Sequence, residues 1–135
     1  MRFSLITTSI LGITAVILGA FGAHGLKPVI SAESLEAYRT GVSYQFYHTF
    51  AILACGILYH ITQNKSFLLA SKVFLVGIIL FSGSIYFLST REYTGIDGLG
   101  FLGPITPLGG LTFIAGWVIM CITSLKLNKN QSNYL

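Results

Sequence analysis

FSLITTSILGITAVILGAFGAHGL, running from Phe3 to Leu26, contains no Lys, Arg, Asp or Glu. Three further stretches share that property: Thr40–Asn64, Val73–Thr90 and Gly98–Leu125. Each is close to the roughly 17–25 residues a helix needs to cross the hydrocarbon of a bilayer. A water-soluble chain puts charge on the outer face of every helix, so four such gaps identify lipid as the surrounding solvent. The pattern predicts an all-α membrane protein: a bundle of four transmembrane helices, one domain over residues 1–135, with spans near 4–23, 42–62, 68–89 and 107–126.

Arg2, the apolar Ile6–Leu18 core and the small residues Ala20-Phe21-Gly22-Ala23 also have the form of a secretory signal peptide. The apolar stretch runs past the usual h-region, however, and three more spans follow, so the segment is read as span 1.

Composition supports the same class. Hydrophobic residues make up 53% of the chain, charged residues 9%, and the mean hydropathy is +0.76. Soluble domains carry about 25% charged residues. Four spans leave only short connections, so no separate soluble catalytic domain fits, and any site is built from the spans and their links. The net charge of +4 comes from scattered cations near span ends. That distribution suits orientation and headgroup attraction rather than a nucleic-acid surface, which needs a basic run or stripe. Cys55 and Cys121 stand singly inside apolar runs, with no metal or redox spacing, and read as small packing groups.

Along span 1, Gly12, Ala15, Gly19, Gly22 and Ala23 recur at steps of three and four or adjoin that stripe. They form a face that lets another helix approach closely, whether inside the bundle or from a second copy of the chain. Pro28 ends the first helix. Ser31 is a good N-cap, and Glu33 and Glu36 follow where a helix dipole favours acids. Leu35, Tyr38 and Val42 keep one apolar face, predicting a short interfacial helix between spans 1 and 2 that bends near Gly41. Thr106-Pro107 reads as an N-cap followed by proline at the first helical position of span 4, approached by a non-helical segment at 99–105. The tail Asn128–Leu135 is polar and is read as mobile.

Orientation follows from the cations. Arg2, Lys65, Lys72, Lys126 and Lys129 flank one side of the spans, and Lys27, Arg39 and Arg91 the other, five against three. That excess predicts both termini in the cytoplasm.

With this topology the polar residues inside the spans gather in one layer, the outer half of the bilayer: His24, Tyr44, Gln45, His48, Ser82, Ser84, Tyr86 and Thr106. Tyr44 and His48 share a helical face, as do Ser82 and Tyr86. His60 lies twelve residues beyond His48, about 18 Å along the axis at 1.5 Å per residue, and belongs to the other side. Polar groups at membrane depth find one another or water, because lipid offers them nothing. Three uses of the layer follow: hydrogen bonds that lock the helices, imidazole ligation of a cofactor such as haem, or a wet vestibule for a solute or proton.

Enzyme signatures are largely missing. No carboxylate stands inside a span, and there is no Gly-x-Ser-x-Gly elbow or Walker loop. Phe81-Ser82-Gly83-Ser84 has no evident His–acid pair to activate a serine. No enzyme activity, metal or cofactor is expected.

Four blocks in order, Leu18-Gly19-Ala20-Phe21-Gly22-Ala23-His24-Gly25-Leu26, Tyr44-Gln45-Phe46-Tyr47-His48, Phe81-Ser82-Gly83-Ser84-Ile85-Tyr86, and Ile105-Thr106-Pro107-Leu108-Gly109-Gly110 with Gly116-Trp117, resemble the YgdD/YwdK-like family of small membrane proteins. The resemblance implies four spans and a bacterial plasma (inner) membrane location. It brings no catalytic or ligand residue with it, and His60 lies outside its motifs. The expected role is that of a non-enzymatic structural or accessory membrane component. The alternative is a small transport or haem/quinone-linked component that uses the polar layer. Expected partners are the lipid bilayer and a second copy or a membrane protein complex; no nucleic acid is expected.

Overall fold

The computed structural model describes residues 2–96 and 98–132, with side chains up to Leu127. Four long helices make up the fold: α1 (Arg2–Phe21), α2 (Ala32–Thr62), α3 (Lys65–Thr94) and α4 (Ile105–Ser132). A π-helical turn, Gly22–Leu26, extends α1, and a 3-10 turn, Leu99–Leu102, precedes α4. No strand occurs among the described residues.

Local chemistry sets the ends. The Ser31 hydroxyl caps α2 by accepting the Ser34 N–H at 3.2 Å. Gln63 closes the same helix in the left-handed region, φ 55°, and donates its N–H to Tyr59 O at 2.8 Å. Asn64 then caps α3 through its carbonyl oxygen, 3.0 Å from the Ser66 N–H, so two residues suffice to reverse the chain. At the far end of α3, Gly95 takes the left-handed conformation that glycine accepts freely, φ 64°.

The main interfaces follow chain order: α1 on α2, α2 on α3 and α3 on α4. One apolar core joins Ala51, Ile52 and Cys55 of α2 to Phe67, Ala70, Phe74 and Ile78 of α3 and to Phe113 of α4. A second, nearer the 22–31 connection, is built from Leu26, Ile30, Leu35 and Tyr38. Large apolar side chains face outward on every helix, including Ile13 and Ile17 of α1, Phe50 and Ile61 of α2, Ile79 and Phe87 of α3, and Leu111 and Ile114 of α4. Among the described residues, three helical segments are long and apolar enough to cross a membrane: Arg2–Leu26, Lys65–Thr94 and Leu99–Leu127. Helix α2 has the length as well, at 31 residues, but it carries Gln45, His48 and Thr49, all turned inward and buried.

Several sequence expectations change. The separate interfacial helix is absent, since α2 runs unbroken from Ala32 to Thr62 through Gly41. The glycine there serves contact, not bending: a Cβ at Gly41 would lie 3.1 Å from both Ile85 Cγ2 and Tyr86 Cε1. Helix α4 begins at Ile105, directly after Pro104, so Thr106 lies inside the first turn and does not cap it. Pro107 is tolerated in that turn because its missing N–H has no partner there. The approach expected to be non-helical contains the 3-10 turn. The tail expected to be mobile continues α4 as far as Ser132, and residues 133–135 lie outside the described residues.

Adjacent glycines on α4 differ sharply in their surroundings. A Cβ at Gly109 would collide with the backbone nitrogen of Phe81, whereas at Gly110 the nearest atoms are Phe81 ring carbons at 3.9 Å. Gly109→Ala is therefore expected to destabilise the bundle by about 1–3 kcal/mol through overpacking, and Gly110→Ala to leave it nearly unchanged. Thermal unfolding of both variants in the same detergent checks the contrast; equal midpoints would contradict it.

Candidate functional site

The polar layer is organised by one side chain. Gln45, on the first half of α2, is 3% exposed. Its amide nitrogen donates to Leu11 O and to Thr14 Oγ1 of α1, each at 2.9 Å. Its amide oxygen accepts the Tyr86 hydroxyl of α3 at 2.7 Å. Both N–H donors and the carbonyl are thereby used, and three helices meet at one residue. Next to it, the Tyr38 hydroxyl donates to Leu18 O at 3.0 Å while its ring lies over Gly22, where a Cβ would come within 2.7 Å. Tyr38 and Tyr86 rings pack at 5.2 Å between centroids.

His48 lies one turn further along α2 and is 6% exposed. Its Nδ1 stands 2.8 Å from Tyr44 O. A carbonyl can only accept, so Nδ1 carries the hydrogen and Nε2 holds a free lone pair. That lone pair accepts the Trp117 indole N–H of α4 at 3.3 Å. The imidazole also stacks on Phe113 of α4, 3.5 Å between centroids and 8° from parallel. Helix α4 is tied a second time where Ser84 Oγ and Thr106 Oγ1 meet at 2.7 Å. Ser84 donates its own hydrogen to Phe81 O, which makes Thr106 the donor of the pair.

Not all of the expected layer assembles. Tyr86 turns to Gln45, and Ser82, fully buried, has no hydrogen-bond partner among the described residues. His24 is exposed on the π-helical turn and takes no part in these bonds. Haem ligation by His24 and His48 finds no support, because His48 spends both nitrogens on protein partners. In the small-residue stripe, Ala15 and Gly22 are buried and a Cβ at Gly19 would stand 3.5 Å from Val42 Cγ1, so these three line the α1–α2 interface. Gly12 faces open space and Ala23 is exposed. No group of three His, Cys, Asp or Glu suited to a metal ion occurs among the described residues.

The structure adds residues that spacing did not single out. Thr14 is one hydroxyl among several in span 1, and only the approach of Gln45 distinguishes it. Phe113 and Trp117 read as ordinary apolar helix residues until His48 is placed against them. Glu92, beyond the expected end of span 3, reaches across to the start of α2. One carboxylate oxygen accepts the Ser31 N–H at 3.0 Å, and the other accepts the hydroxyls of Ser34 at 3.1 Å and Ser31 at 3.3 Å. The Ser31 backbone bond chiefly, then the Ser34 and Ser31 hydroxyls and the Arg91 charge, hold the Glu92 carboxyl below its ordinary value.

Cavities flank this framework. One of about 440 Å³ near the 22–31 connection is bordered by Ser31, Ser34, Arg91, Glu92 and Thr106. Another, also about 440 Å³, lies between α1 and α3 beside Thr14, Gln45, Gly83 and Tyr86. A third, about 500 Å³, opens between α2 and α4 beside Tyr44, His48, Phe113 and Trp117.

Membrane-length apolar helices, apolar outward faces and inward polar side chains define a small α-helical integral membrane protein. The chain belongs to the family described as a protein of unknown function (DUF423), whose model matches residues 18–110. It is 37% identical over 127 residues to the UPF0382 membrane protein YwdK of Bacillus subtilis, covering 93% of this chain and 98% of that one. With the UPF0382 inner membrane protein YgdD of Escherichia coli K12 the identity is 36% over 128 residues, covering 95% and 93%. A UPF0382 membrane protein of Haemophilus influenzae is 40% identical over 115 residues, covering 85% and 87%. No solved structure matches. The protein is accordingly placed in the bacterial inner membrane.

Glu92 supplies a pH test. Because its folded value is lowered, its contribution to stability is complete above the unfolded value near 4.5 and is lost as pH falls through the folded value. Glu92→Gln should lower thermal stability at neutral pH and flatten its acid dependence below about pH 4.5. Parallel pH profiles for the two proteins would contradict the cap.

Proposed function

We propose that this chain is a four-span bundle with both termini in the cytoplasm, acting as a non-enzymatic structural or accessory component of the membrane. The observation that carries the reading is the occupancy of the polar layer. Gln45, Tyr86, Thr14, His48, Trp117, Ser84 and Thr106 spend their hydrogen bonds on one another and on the backbone. A solute or proton path needs polar groups that water can reach, and these serve as ties between helices instead.

Support for α2 as the fourth span comes from its two faces. Its outward side chains include Phe46, Phe50, Ile57 and Ile61, as a lipid surface requires, while Gln45, His48 and Thr49 are buried. Gln45, His48 and Thr49 lower its mean hydropathy without facing outward. The cation count, five against three, supports the orientation. The partners of such a bundle are lipid and, along its open faces, a second copy or another membrane protein.

Proteoliposomes test the passive role. The purified chain should carry protons and small ions no faster than protein-free vesicles do. A flux above that background which Gln45→Leu abolishes would overturn the reading in favour of transport.

A further inference from the structure

The cavity between α2 and α4 differs in kind from the other apolar surface. Six aromatic rings line it: Tyr44, Tyr47, His48, Phe81, Phe113 and Trp117. Elsewhere the outward faces are mainly aliphatic, as on α1 with Ile10, Ile13, Val16 and Ile17. The walls are fixed by ring contacts: Tyr44 stacks on Phe81 at 4.7 Å, His48 on Phe113 at 3.5 Å, and Trp117 meets Phe74 edge-on at 5.1 Å. The hollow is therefore formed before anything enters it, which removes much of the ordering cost of binding.

Part of the floor is an absent side chain. At Gly110 a Cβ would meet only Phe81 ring carbons, at 3.9 Å. Tyr44, Tyr47 and Trp117 remain 39%, 62% and 48% exposed, leaving electron-rich π surface uncovered. Polar function is concentrated at the same place. The Trp117 N–H reaches His48 Nε2 at 3.3 Å, beyond the usual N–H distance of about 2.7–3.2 Å, so the same hydrogen can be shared with a second acceptor while His48 keeps its contact. Tyr44 and Tyr47 add phenol groups to the lining.

An acyl chain would use none of these features and finds equally good aliphatic faces on α1. What matches them is a flat, electron-poor ring that stacks on a phenol ring and carries carbonyl oxygens for the indole N–H and phenol O–H donors. Tyr47 and Ile114, both on its lining, are exposed on the outer face, so a long apolar tail can leave into the bilayer. Its volume of about 500 Å³ admits such a head group.

We propose that the α2–α4 groove binds the head group of a membrane-dissolved isoprenoid quinone, stacked on Tyr44 with one carbonyl oxygen accepting the Trp117 N–H. This goes beyond the structural role, and it rests on the four-span reading, which puts the groove in lipid.

The chain's single tryptophan makes the site its own reporter. The full-length protein in lipid nanodiscs is titrated with a short-tailed para-quinone while Trp117 fluorescence is read. Saturable quenching with one site per chain is expected, and Gly110→Leu, which fills the floor, should weaken binding at least about tenfold. Should Gly110→Leu fail to fold, Tyr44→Leu on the exposed wall serves instead, with binding weakened several-fold. The O-dimethylated hydroquinone, electron-rich and without carbonyls, should not displace the quinone. Quenching that rises linearly without saturation would overturn the proposal, as it would then match Trp117→Phe combined with Ile10→Trp, which reports partitioning into lipid. Equal displacement by a ring-free isoprenoid alcohol would also overturn it, by making the groove an acyl slot. Labelling of Glu33→Cys and Gln63→Cys by an impermeant maleimide in intact cells reads the span arrangement separately, so failure of that arrangement is distinguished from failure of the quinone site.

Discussion

A primary amide buried in a bundle that sits in lipid has no water to turn to, and leaving its donors unpaired costs several kcal/mol. Gln45 meets that constraint by binding Leu11 O and Thr14 on one neighbour and Tyr86 on another. The face of α2 that carries it must therefore point inward, and α1 and α3 must approach close enough to reach it. That closeness calls for small side chains where the helices cross. Ala15, Gly19 and Gly22 supply them on α1, and Gly41 supplies one on α2. In a membrane such packing and hydrogen bonding, rather than expulsion of water, drives helices together.

The same inward turn organises α4. His48 lies one helical turn past Gln45, and its lone pair and ring face both engage α4 through Trp117 and Phe113. Gly109 lets the α4 backbone come against Phe81, and Thr106 closes the upper part of the contact with Ser84. At the end of the bundle, Glu92 joins the tip of α3 to the start of α2 through Ser31 and Ser34. Most of the ties run from α2 to its neighbours, with Ser84–Thr106 joining α3 to α4, and the groove left between α2 and α4 is walled in part by His48, Phe113 and Trp117.

Much of this was legible in the residue pattern, because lipid punishes exposed charge so heavily that charge-free runs mark helices almost directly. The same penalty made Gln45, His48, Tyr86, Ser84 and Thr106 conspicuous inside those runs. What the pattern could not carry was pairing. Tyr86 shares a helical face with Ser82, yet it bonds to Gln45, forty-one residues away, and Ser82 has no partner among the described residues. His24 looked like a companion of His48 by depth alone, but depth does not fix rotation about the helix axis, and His24 is exposed on a π-helical turn. Gly41 read as a bend because glycine serves both flexibility and close contact; here the contact with Ile85 and Tyr86 decides. The Glu92 cap joins residues about sixty positions apart and has no local signature.

The inward Gln45 is the central claim, and a double-mutant cycle reads it most directly. Gln45→Leu, Tyr86→Phe and the double variant are unfolded reversibly in mixed micelles, and their free energies are compared with the parent protein. A hydrogen bond between the two side chains requires coupling of about 0.6–2 kcal/mol, the range found for polar contacts between membrane helices. Strictly additive losses, or a Gln45→Leu protein as stable as the parent, would contradict the account.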